Sequence, residues 1–231
     1  MKAMLLFDLQ TTRKMALQQI VIYLAVAVCV SIGVGSVAII APMFCVMAPI
    51  TAAFTLLALD ERAKWEQFRL ALPLTRGDIV RGRYASLALW TLYGVAIGMA
   101  SSAIILGAAA ALPQVEPLAQ LAAEFDWAAL PLVAALPLPL AALMLGITLP
   151  FVVRFGMTKA VRWIPLAFVA LLLAYILGGG HELAVQAETT LQWVFSPGGT
   201  PLAIALALLA AAAIYAASCA VSCKLYERRE F

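Results

Sequence analysis

The residues best equipped for chemistry lie in one stretch, 60–84, DERAKWEQFRLALPLTRGDIVRGRY. It holds six of the fifteen Lys and Arg: Arg62, Lys64, Arg69, Arg76, Arg81 and Arg83. Asp60, Glu61, Glu66 and Asp78 accompany them, with two large aromatics, Trp65 and Phe68. Charge mixed with aromatic side chains suits contact with a partner better than bond-making. Elsewhere the reactive inventory is thin. The single histidine, His181, excludes a multi-histidine metal site and HExxH metalloprotease chemistry, and falls in a polar loop. Cys29, Cys45, Cys219 and Cys223 lie in apolar runs without CxxC spacing; Cys219 and Cys223, at i,i+4, read as small packing residues. No lysine follows a glycine, so a GxxxxGK[ST] phosphate loop cannot be written anywhere. If ATP drives this protein, another chain binds it.

The elements that must carry this stretch are membrane spans. Of the 231 residues 65% are hydrophobic and 12% charged, half the charged share of about 25% usual in soluble domains. About 20 apolar residues cross a bilayer as a helix. Six such runs are expected, at 17–37, 42–59, 85–111, 129–153, 163–179 and 201–223, forming a single domain over 1–231. The first run follows Asp8, Arg13 and Lys14 and is longer than the apolar core of a signal peptide, so it is expected to remain as a span. None of the six contains Asp, Glu, Lys, Arg or His, which argues against a proton relay through the membrane.

Every Lys and Arg falls on one side of this arrangement: before span one, between spans two and three, between spans four and five, and after span six. The connections 38–41, 112–128 and 180–200 contain none. Segregation of that kind places both termini and the basic loops in the cytoplasm. Residues 1–16 form an expected interfacial helix, with Arg13 and Lys14 near lipid phosphates, or else a frayed polar terminus. A turn around Gly33, Gly35 and Pro42 makes spans one and two a hairpin. The outer segments 115–127 and 183–195 have apolar residues at helical spacing. The second, bounded by glycine and proline, is either re-entrant or a surface loop. Gly94-x-x-x-Gly98 in span three allows close helix approach. Pro131, Pro137, Pro139 and Pro150 should kink span four.

Within the charged stretch, Asp60 can cap a helix starting at Glu61, on which Trp65, Phe68, Arg69 and Leu72 share a face and which Pro73 ends. That face can dock a protein or rest on lipid headgroups with Trp65 as anchor. Thr75-Arg76-Gly77-Asp78 is a capping-box pattern with Asp in place of Glu, opening a helix that runs through Val80 and Tyr84 into span three.

The pattern Asp60-Glu61, Lys64-Trp65-Glu66, Leu72-Pro73-Leu74-Thr75-Arg76, Ile79-Val80 and Tyr84 resembles the corresponding loop of ABC transporter permeases of the type-2 exporter class. In particular it is similar to the compact six-span permeases that resemble bacteriocin and phenol-soluble-modulin exporters. Gly77 departs from the pattern, where a polar helix former is more usual. The resemblance implies an all-α membrane protein with six transmembrane helices, an N-terminal interfacial helix, a cytoplasmic coupling helix after span two, and short outer or re-entrant helices before span six. It implies a transport subunit and not an enzyme, in the bacterial cytoplasmic membrane, paired with a second permease chain as homo- or heterodimer. Each chain would meet a cytoplasmic ABC ATPase subunit that holds the ATP and Mg; membrane lipid surrounds it and nucleic acid is no partner. The coupling residues carried over are Asp60, Glu61, Lys64, Trp65, Phe68, Arg69, Leu72, Pro73 and Arg76, with Arg154, Lys159 and Arg162 in a second coupling loop. The alternatives are an energy-independent carrier or channel and a non-transporting immunity or sensor protein. Apolar spans favour a hydrophobic or amphipathic cargo.

Overall fold

The structure, a computed structural model, describes residues 2–63, 75–112, 114–123, 125, 127–156, 159, 162, 163, 166, 169, 170, 173, 193–196 and 198–227. Its elements are helical: α1 (Lys2–Val34), α2 (Ile40–Ala63), α3 (Arg76–Ala111), the short α4 (Glu116–Ala123), a 3-10 turn at Trp127–Ala129, α5 (Leu130–Ala135), α6 (Leu138–Phe155) and α7 (Gly199–Glu227). Five stretches are long and apolar enough to cross a membrane: Ala3–Val34, Ile40–Arg62, Arg76–Ala111, Leu130–Phe155 and Gly199–Glu227. They match five of the six expected spans. Most of the remaining one, 163–179, lies outside the described residues, as do 64–74 and 183–192.

α1 is one unbroken helix of 33 residues, about 50 Å long. The separate interfacial helix expected over 1–16 is therefore not found. No Gly or Pro interrupts the chain before Gly33, and the first turns have something to bury. Met4, Asp8, Thr12, Gln19, Tyr23, Ala27 and Ser31 are all buried, and the stripe they form is largely polar. Leu17, Val21, Ile22 and Ile32 are exposed instead. This is the amphipathicity of a membrane helix, whose apolar side meets lipid while its polar side meets other helices. Gly35, at φ 75°, ends α1, and its N–H returns to the Ser31 carbonyl at 2.9 Å. That left-handed position suits glycine. Pro42 falls in the first turn of α2, as expected of the hairpin.

α3 is the central helix and packs against α2, α1 and α7. The capping box forms as expected: the Thr75 hydroxyl accepts the Asp78 N–H at 3.1 Å and donates to the Asp78 carboxylate at 2.8 Å. From there the helix continues without interruption to Ala111. Gly94 and Gly98 form its seam with α2. A Cβ on Gly94 would collide with the Phe44 carbonyl oxygen, and one on Gly98 would stand 2.7 Å from the Ala41 Cα. The fourth span breaks where its prolines dictate, between α5 and α6 at Leu136–Pro137. α4 realises the expected amphipathic segment after span three: Leu121 is buried, and Leu118 and Phe125 pack on the same core.

α6 and α7 run parallel. Leu132 in α5 clusters with Ala203 at the start of α7, Gly146 meets Ser218 midway, and Val152 and Val153 approach Tyr226 at the far end. The chain thus leaves α6 at one pole and begins α7 at the other. At its start α7 folds back sharply on Trp193–Ser196: the Gly199 N–H reaches the Ser196 carbonyl at 3.0 Å, and a Cβ there would overlap the Trp193 carbonyl oxygen.

Replacing Gly94 or Gly98 by Leu is expected to cost about 1–3 kcal/mol or more through overpacking of the α2–α3 seam. Size-exclusion profiles of detergent-solubilised protein should show lost monodisperse material for both variants. Gly107→Leu, with open space around its Cα, should behave as wild type.

Candidate functional site

The first three turns of α3 carry side chains that reach three other helices. The Arg83 guanidinium donates to the Asp60 carboxylate near the end of α2 at 2.5 Å. Its other terminal nitrogen lies 3.4 Å from the Asp8 carboxylate of α1. Ser86 donates to Asp8 at 2.9 Å and also reaches the Arg83 carbonyl at 2.8 Å. Asp8 is 0% exposed, Arg83 6% and Asp60 9%. A guanidinium and two carboxyl groups from three helices thus meet where water has little access.

The neighbouring residue points to the other side. The Tyr84 hydroxyl lies 2.6 Å from the Ser218 hydroxyl and 2.8 Å from that of Ser222, one turn apart on α7. Tyr215 donates to the Tyr84 carbonyl at 2.6 Å, with the two rings edge to face. Ser218 in turn reaches the Gly146 carbonyl of α6 at 2.9 Å. At the very base of α3, Arg76 donates to the Glu227 carbonyl at 2.8 Å. A cation there suits the negative end of the α7 dipole.

This arrangement holds no catalytic constellation. Among the described residues no group of three or more His, Cys, Asp or Glu has the spacing to hold a metal ion. The four cysteines are free thiols. It is a structural tie: one helix end is bonded to α1 and α2 through Arg83, and to α7 through Tyr84 and Arg76.

The expected coupling residues divide into three groups. Lys64, Trp65, Phe68, Arg69, Leu72 and Pro73 lie outside the described residues. Asp60, Glu61 and Arg76 flank them, but Asp60 does not cap a new helix. α2 runs through it to Ala63, so its position is helix interior, and Arg83 draws its carboxylate into the bundle. Glu61 is exposed and Arg76 half-buried. Arg154, Lys159 and Arg162 are all exposed; Arg154 sits in the last turn of α6, 5.4 Å from the centre of the Phe155 ring. The end of α2, the start of α3 and the end of α6 all surround a cavity of about 60 Å³ lined by Asp60, Arg83, Val152 and Val153. Both expected loops therefore leave the bundle at the same pole.

Sequence reasoning missed Asp8, Arg83, Tyr84, Ser218 and Ser222 as a connected set. Two signals were present. Asp8 is the only acidic residue before Asp60, and Ser218 and Ser222 share a face at i,i+4 beside the cysteines that drew attention instead.

A bundle of helices, five of them long and apolar enough to cross a membrane, defines a multi-pass α-helical membrane protein. The chain belongs to the ABC-2 family transporter proteins, whose family model matches residues 3–227. No curated protein and no solved structure matches it. Membership makes it a transmembrane permease of the ABC transporter class, a transport subunit of a kind that generally partners with an ABC ATPase.

Removing Arg83 while leaving Asp8 and Asp60 strands buried carboxylates, a loss of about 3–5 kcal/mol by the usual cost of breaking a buried pair. Arg83→Gln should lower the melting temperature in detergent sharply, and adding Asp8→Asn and Asp60→Asn should restore part of it. Tyr84→Phe should cost about 1 kcal/mol, the scale of a hydrogen bond between membrane helices.

Proposed function

We propose that the chain is one permease half of an ATP-driven exporter in a bacterial cytoplasmic membrane, working as a homo- or heterodimer with separate ATPase subunits that hold the ATP and Mg. Both termini face the cytoplasm, and the chain crosses six times. The parallel run of α6 and α7 supports that count, because it calls for one more traverse between Phe155 and Gly199. The confinement of every Lys and Arg to one side of the spans supports the orientation.

The observation that carries the coupling is the construction of the α3 base. α3 begins directly after 64–74, with Thr75 capping it. Within its first three turns it is bonded to α1, α2 and α7. A push on 61–72 would pass into α3 and from it into three helices at once. In this reading Glu61, Lys64, Trp65, Phe68, Arg69, Leu72 and Pro73 form the ATPase contact, Trp65 and Phe68 being its apolar anchors. Asp60 and Arg76 hold the contact to the bundle. Arg154, Lys159 and Arg162, at the same pole, form the second contact. ATP binding closes the ATPase pair, moves these contacts together and opens the path outward for a hydrophobic or amphipathic cargo.

The test is co-expression with the cognate ATPase. Trp65→Ala with Phe68→Ala should abolish co-purification and the ATP hydrolysis stimulated by the permease, while the permease still elutes as a folded species. Retention of both association and stimulation in the double variant would falsify the coupling assignment.

A further inference from the structure

We infer that α1 and α3 together form a site for one anionic phospholipid, its acyl chain in the groove between the helices and its phosphate on Arg13. A groove of about 230 Å³ lies there. Leu9, Ala16 and Leu89 supply apolar wall, and Trp90 and Tyr93 supply aromatic faces. Leu89 is substantially exposed, so the groove opens sideways from the bundle.

Three observations select the occupant. Arg13 lines the groove and is exposed, and no described residue engages its guanidinium in a hydrogen bond or ion pair. This contrasts with Arg76 and Arg83, which bind protein groups. Arg13 also stands one turn before Leu17, from which exposed apolar side chains continue through Ile20, Val21 and Ile22 with no further charged residue in α1. A cation at the foot of such a face sits at headgroup level, where anionic lipid is attracted by about 1 kcal/mol per basic residue. Finally, the Trp90 indole N–H is buried without a hydrogen-bond partner in the protein, although Trp90 is only 4% exposed. A buried indole N–H normally finds an acceptor, and ester or phosphate oxygens are the acceptors a lipid offers. Tyr93 has already spent its hydroxyl on the Ala16 carbonyl, which fixes α1 against α3 and keeps the groove formed. Lys14, one position on, does not line it.

The site follows from the membrane insertion of α1 and α3 and not from ATPase coupling, so a permease that fails the co-purification test still gives a clear result here. The purified full-length chain, delipidated in detergent, would be titrated with phosphatidylglycerol or phosphatidylcholine, with binding read by native mass spectrometry and melting temperature. Phosphatidylglycerol should bind saturably and raise the melting temperature; phosphatidylcholine should bind more weakly and raise it less. Arg13→Gln should weaken phosphatidylglycerol binding about five-fold, and Lys14→Gln should change it by less than about two-fold. Ala16→Phe, which fills the groove, should remove the saturable binding. Wild-type affinity in Arg13→Gln, an equal loss in Lys14→Gln, or equal affinity for the two lipids would each overturn the proposal; the last two outcomes would mean general attraction to the lipid annulus.

Discussion

The ion cluster of Arg83 with Asp8 and Asp60 is the constraint on which the arrangement of the first three helices depends. Each of its members would be costly alone at the edge of a bilayer, because charge out of water loses its solvation. Together they satisfy one another only if α1, α2 and α3 stand in one register. Such clusters add little net stability over a well-packed apolar set, yet breaking one is expensive. Their effect is to select one arrangement of helices among many that bury similar area.

That selection matters because the hydrophobic effect does little to hold helices together in lipid; packing and polar contacts must do it. The two halves of α3 divide this work. At its base Arg76, Arg83, Tyr84 and Ser86 bond to α1, α2 and α7. Towards its other end Gly94 and Gly98 let the backbone of α2 come into contact. At the opposite pole a cavity of about 220 Å³ lies between the α1–α2 turn, α4 and the start of α5.

Several local features were legible before any coordinates. The Thr75–Asp78 capping box, the glycine pair in α3, the break at Pro137 and the amphipathic α4 each follow from backbone chemistry acting over a few residues, and each formed. The separate interfacial helix at 1–16 and the Asp60 cap did not form, and for one reason. Asp8 and Asp60 look like surface residues when judged by neighbours in sequence, but their partner Arg83 lies 75 and 23 positions away. Once paired, the acids can enter the bundle, and α1 and α2 continue as helix through positions where a polar boundary was expected.

Composition and run length were enough to determine that this chain lives in a membrane, because a bilayer penalises each charge by position along the chain. Tertiary structure alone decided which charges belong to the helix bundle and which remain available to a partner. Of the basic residues in 60–84, Arg83 is bound within the bundle and Arg76 holds the end of α7, while Arg13, outside that stretch, stays exposed beside the groove between α1 and α3. No count of charges could sort them, since the sorting depends on which helix faces meet.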